Sequence, residues 1–132
     1  MIEQWYLANI QILRQIWGLV EFDDSYFNWM RIKYFVLPSV YFQEYSDLLL
    51  VTPGLNIENF QDYHFYVDQN LSRRDGVAPP FVHENNGCNN LYDQGYARLS
   101  FHLTSFRATT DVVSGDNFLE LAKAVHLFLG QE

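Results

Sequence analysis

The sequence predicts an α+β fold: an antiparallel β-meander of about four strands packed against an N-terminal and a C-terminal helix, as one domain over residues 1–132. Three observations carry this reading. Both ends of the chain place apolar residues at three- and four-residue steps, the helical period. The middle holds short runs rich in aromatic and β-branched residues, separated by Pro, Gly and Asn turn signals too brief for crossover helices, so neighbouring strands run antiparallel. Amphipathic ends also need an apolar sheet face to cover, which folds them back onto the meander.

In the first twenty residues Ile2, Trp5, Tyr6, Ile10, Leu13, Trp17 and Val20 follow helical spacing, with Glu3, Gln4, Asn9, Gln11, Arg14 and Gln15 between them. Gly18 and the stretch Glu21–Ser25 break that helix, because Gly costs about 1 kcal/mol in a helix interior and Asp and Ser favour caps. Glu21, Asp23 and Asp24 read as a solvated connector. From Trp29 to Leu37 charge and bulk alternate as in a half-exposed strand, until Pro38 removes a ladder donor. Residues 40–45 and 47–52 form one strand or two, and the run Leu48–Val51 is apolar enough to be buried on both faces. Pro53-Gly54 is a turn.

Asp62–Asp68 is the next strand, closed by Ser72–Gly76, where Arg73 and Arg74 make a small basic tip. Residues 78–93 carry two Pro, four Asn and a Gly and read as a long irregular loop. Tyr96–Thr104 returns to strand alternation. A cap at Ser114 or Asp116 then opens a helix on Phe118, Leu119, Ala122, Val125, His126 and Leu129.

Composition narrows the function classes. Hydrophobic residues are 48%, including 11 Phe, 9 Tyr and 3 Trp, which supplies enough apolar surface for a core and excludes intrinsic disorder. Eight Lys and Arg against sixteen Asp and Glu leave a net charge of -8, which disfavours nucleic acid and anionic membranes and points to a protein partner. No apolar run approaches the roughly 18 residues of a membrane span, and no basic region precedes the first apolar residues, so the expectation is a soluble, cytoplasmic protein. Cys88 is the only cysteine. It cannot form an internal disulfide or a multi-thiolate zinc site, which fits a reducing compartment.

Cys88 is also the first chemical candidate, since a lone thiol on a Gly/Asn-rich loop can act as a nucleophile through its thiolate. Asn85, Asn86, Asn89 and Asn90 surround it as amide donors for a developing oxyanion. His83 and His102 are the candidate bases for such a thiol. His83, Glu84 and Cys88 fall short of the four N/S donors of a structural zinc site, so no metal and no cofactor is expected. His64 and His126 read as strand-face and core-boundary residues, and Trp5, Tyr6 and Trp17 as helix-to-sheet packing.

Several strings, together with the order of elements, resemble the ubiquitin-conjugating-enzyme fold, especially its bacterial branch associated with ubiquitin-like modification systems. Leu48–Gly54 resembles that family's strand ending in a proline turn, and Asp75–Phe81 its proline pair. His83-Glu84-Asn85 is similar to its His-Pro-Asn tripeptide, with Glu84 in place of the proline and Cys88 downstream. Ser100-Phe101-His102, Phe106 and Asp116–Leu119 are similar to the pattern leading into the last helix of the bacterial branch. The resemblance covers roughly residues 30–129. It implies a member, active or degenerate, in which Cys88 accepts the C-terminus of a ubiquitin-like protein from an activating enzyme and Asn85 stabilises the oxyanion as a lysine amine attacks. The competing expectation is a non-catalytic adaptor or immunity-type domain whose acidic surface binds a basic partner protein. A small Cys-His hydrolase is third.

Overall fold

The structure, a computed structural model, describes residues 2–82 and 90–131. It opens with helix α1 (Ile2–Trp17) and continues into strands β1 (Val20–Phe22), β2 (Trp29–Val36), β3 (Tyr45–Val51), β4 (His64–Asp68) and β5 (Tyr96–Arg98). Helix α2 (Phe118–Leu129) closes it. The strands form one sheet in the order β1-β2-β3-β4-β5, antiparallel throughout. The helix–meander–helix expectation is met, with five strands rather than about four.

The additional strand is β1. Val20 was expected on the stripe of the first helix and Glu21 in a solvated connector, but Val20 pairs with Ile32 and Glu21 with Arg31, whose guanidinium holds the glutamate at 2.8 Å. A charged strand is tolerated there because it lies at the sheet edge, where one side faces water.

Both helices cover one face of the sheet. Trp5, Tyr6, Ile10 and Leu13 from α1 and Phe118, Leu121, Ala122, Val125 and Leu129 from α2 are buried with Met30, Ile32, Phe35, Leu48, Leu50, Phe65 and Val67. The opposite face carries a smaller cluster of Leu49, Tyr66 and Tyr96, against which Trp29, Val51 and Leu91 pack. Leu48, Leu49 and Leu50 are therefore all buried, since successive strand residues point to opposite faces and both faces are occupied.

Helix ends are closed by side chains. The cap of α2 is Asn117, not Ser114 or Asp116: its Oδ1 accepts from Glu120 N at 2.9 Å. Asp116 instead turns back to accept from Arg107 N at 2.7 Å, and Ser114 donates to Asp111 at 2.9 Å. At the other end of α2, Arg73 is buried rather than a surface tip. It donates to the carbonyls of Leu129 at 3.4 Å and Gln131 at 2.6 Å and is held by Asp75 through two bonds of 3.0 and 2.7 Å. A cation at a helix C-terminus meets the orphan carbonyls there and complements the helix dipole.

Candidate functional site

His83, Asn85 and Cys88 lie outside the described residues, but the chain on either side of them is fixed. Upstream, Phe81 bridges to Leu99, Val82 N donates to Arg98 O at 2.8 Å, and Ser100 N donates to Pro80 O at 2.9 Å. Downstream, Asn90–Gln94 makes a short 3-10 turn, Leu91 packs on the Leu49–Tyr66–Tyr96 cluster, and Gly95 O accepts from Gln69 N at 2.9 Å. Gly95 has φ of 96°, a left-handed conformation that glycine adopts at little cost and that turns the chain straight into β5. Residues 80–82 thus lie beside the end of β5, and residues 90–95 lead directly into that same strand.

His102 is described and exposed. The expected strand through Thr104 ends at Arg98: beyond it Leu99 N still donates to Phe65 O of β4 at 2.8 Å and Leu99 makes an isolated bridge to Phe81, but no ladder continues. His102 lies within electrostatic reach of His64, the first residue of β4. Burial holds the His64 pKa below its ordinary value, and Arg98 and His102 lower it further against the opposing pull of Asp62. Its neutral form is therefore favoured in the folded state.

Sequence reasoning missed two features. The first is a groove of about 1030 Å³ between the start of α1, residues 55–59 and residues 108–112. Ile2, Trp5, Leu55, Ile57 and Val112 give it apolar walls, and Glu58 and Asp111 contribute carboxylates. Its walls are tied down. Tyr6 donates to Gly54 O and Tyr63 to Ile57 O, each at 2.6 Å, and Asn117 Nδ2 donates to Val112 O at 2.9 Å. Burial pushes the Tyr6 hydroxyl up to about 12 against a lowering bond from Thr52, so it stays a protonated donor. No local signal marks this groove, because its walls come from segments about fifty residues apart.

The second is a chain of polar contacts on the sheet face away from the helices. Glu21 pairs with Arg31 at 2.8 Å, Arg31 donates to the Tyr96 hydroxyl at 3.2 Å, that hydroxyl donates to Asp47 at 2.8 Å, and Lys33 pairs with Asp47 at 3.1 Å. The period-2 alternation of β2 signalled that Arg31 and Lys33 share a face, but their partners come from three other strands.

No family model, curated protein or solved structure matches the chain. Functional assignment therefore rests on residues and geometry. Among the described residues no group of three or more His, Cys, Asp or Glu gathers as a metal site would require, and no helix is long and apolar enough to cross a membrane.

Proposed function

We propose that this chain is a conjugating-enzyme-like component of a bacterial ubiquitin-like modification system, and that Cys88 carries the modifier as a thioester. The supporting observation is the arrangement itself: a helix, an all-antiparallel meander and a helix in that order, with residues 80–82 bonded beside the last strand and residues 90–95 leading into it. An enzyme of this kind needs an accessible thiol on a firm frame and protein-binding surface rather than a deep pocket.

In this reading the Cys88 thiolate attacks the thioester carbonyl joining the modifier to an activating enzyme. A new sulfur–carbon bond forms, the old one breaks, and the activating enzyme regains its thiol. A lysine amine of the acceptor then attacks the Cys88 thioester, the Asn85 amide stabilises the oxyanion, and the thiolate leaves as the isopeptide bond closes. The activating enzyme consumes ATP beforehand, so the chain needs no cofactor.

Incubation with a cognate activating enzyme, modifier and ATP is expected to yield an adduct that reductant removes. Cys88→Ser should abolish it or convert it to a reductant-stable ester. A verified cognate set that charges no adduct onto the wild-type chain overturns the proposal.

The groove favours a second, non-catalytic reading, a docking domain for a basic partner protein. Apolar walls beside Glu58 and Asp111 suit a segment whose apolar side chains are flanked by Lys or Arg. A peptide of that composition is expected to lose about tenfold in affinity with the Glu58→Lys, Asp111→Lys double variant. Binding unchanged by both reversals removes this reading.

A further inference from the structure

We propose that His64, Arg98 and His102 form an anion site for a single phosphoryl group on the sheet face away from the helices. The site stands apart from the thiol and from the groove.

Strand register brings the three residues together. Tyr66 pairs with Arg98, and Leu99 N donates to Phe65 O at 2.8 Å, so the chain from Arg98 onward still runs beside β4. Leu99 is buried in the core, and the Phe101 ring packs on Phe65 at 5.0 Å and on Phe128 of α2 at 5.2 Å. Residues 99 and 101 therefore face the helices. That turns Arg98, Ser100 and His102 to the other side, where His64 stands two places before Tyr66 on β4. Electrostatics agree with this placement, since Arg98 and His102 both disfavour the charged form of His64.

Three basic groups are thus held together in a chain whose net charge is -8. Each raises the cost of charging the others, and an anion seated among them removes that cost. The carboxylates nearby are few and otherwise engaged. Asp62 acts on His64 with the opposite sign, and its Oδ2 accepts from Asn59 Nδ2 at 2.6 Å. Asp68, on the far side of Tyr66, is acted on by Asp47 and Lys33 rather than by Arg98. On β3, Val51 pairs with His64 and brings no charge. Among the described residues no carboxylate forms an ion pair with Arg98, whereas Arg31, Lys33, Arg73 and Lys123 each have one.

This donor set fits a phosphoryl group better than a carboxylate. The fork of Arg98 alone satisfies the two coplanar oxygens of a carboxylate. Imidazole donors from β4 and from beyond β5 add bonds outside that plane, which the three terminal oxygens of a phosphoryl group accept. Three basic side chains cover one such group and fall far short of a nucleic-acid footprint.

Inorganic phosphate, followed by NMR titration, is expected to bind with a Kd on the order of 1 mM and to shift the His64 and His102 imidazole resonances. Acetate at matched ionic strength should bind about tenfold more weakly. Arg98→Gln should weaken phosphate binding about tenfold, while Arg107→Gln, which removes the same charge from the segment before α2, should leave it unchanged. Asp62→Asn should strengthen it about threefold by removing the opposing carboxylate, a gain that loss of fold cannot mimic. Methyl phosphate separates the two sources of the group, and either result supports the site: affinity at or above that of phosphate assigns it to an ester, and weaker binding assigns it to free phosphate. No shift up to about 20 mM phosphate, shifts centred on Arg73 and Arg74 instead, or acetate bound as tightly as phosphate overturns the proposal. An Asp62→Asn variant with unchanged affinity does the same.

Discussion

Replacing Phe118 with alanine is expected to destabilise the fold by about 4 kcal/mol, the range for a large aromatic removed from a core that cannot collapse around the gap. Phe118 is fully buried at the first position of α2. Its ring lies 5.1 Å from Trp5, 5.5 Å from Tyr6, 6.4 Å from Phe106 and 6.5 Å from Tyr63. These rings come from α1, from the segment before β4 and from the segment before α2, so one truncation unseats three parts of the chain together. Chemical denaturation measures the loss, with Phe42→Ala as the control. Phe42 is 56% exposed, and its truncation should change stability by less than about 0.5 kcal/mol. A Phe118→Ala loss under about 1 kcal/mol would show that this cluster does not join the helices.

Asn9→Ala is expected to cost about 2 kcal/mol, through an unsatisfied donor more than through lost volume. Asn9 is 1% exposed. Its Nδ2 donates to Trp5 O at 2.9 Å, and its Oδ1 accepts from Phe118 N at 2.8 Å. One side chain of α1 thereby satisfies a first-turn donor of α2, a buried N–H that has no partner within its own helix. Asn9→Leu should destabilise by a similar amount despite filling the space. If Asn9→Leu matches wild type in the same denaturation experiment, the bond across the helices contributes nothing.

Asn9 also shows how far sequence reasoning reaches. Its polarity assigned it to the solvent side of α1, yet position 9 falls on the same stripe as Trp5, Tyr6 and Leu13, and in the structure it is buried with them. Type and position disagreed, and the deciding fact, an orphan N–H more than a hundred residues away, is tertiary. Arg73 follows the same logic. As one of two adjacent arginines it read as a solvated tip, and the carbonyls ending α2 made burial favourable.

The elements themselves were more legible. Period 3.6 located both helices, and Gly18, with φ of 81°, ends α1 where the break was expected. Alternation and apolar runs located β2, β3 and β4. Errors fell at the sheet's two edges, where β1 was missed and β5 was drawn too long, and at residues 40–44, which were read as strand but make only an isolated bridge from Tyr41 to Arg73. Edge strands carry weaker patterns because one of their sides packs against no neighbour. Of the candidate site, His102 was assigned to a strand that ends before it, and the groove gave no signal.

By itself, then, the amino-acid order determined the type and succession of the helices and central strands, since repeat period and turn chemistry act over a few residues. Only the folded molecule decided which polar groups are buried, how the edges pair, and that residues 2–8, 55–59 and 108–112 enclose one groove. Those outcomes depend on hydrogen-bond partners and apolar surfaces brought from distant parts of the chain, and no local pattern encodes them.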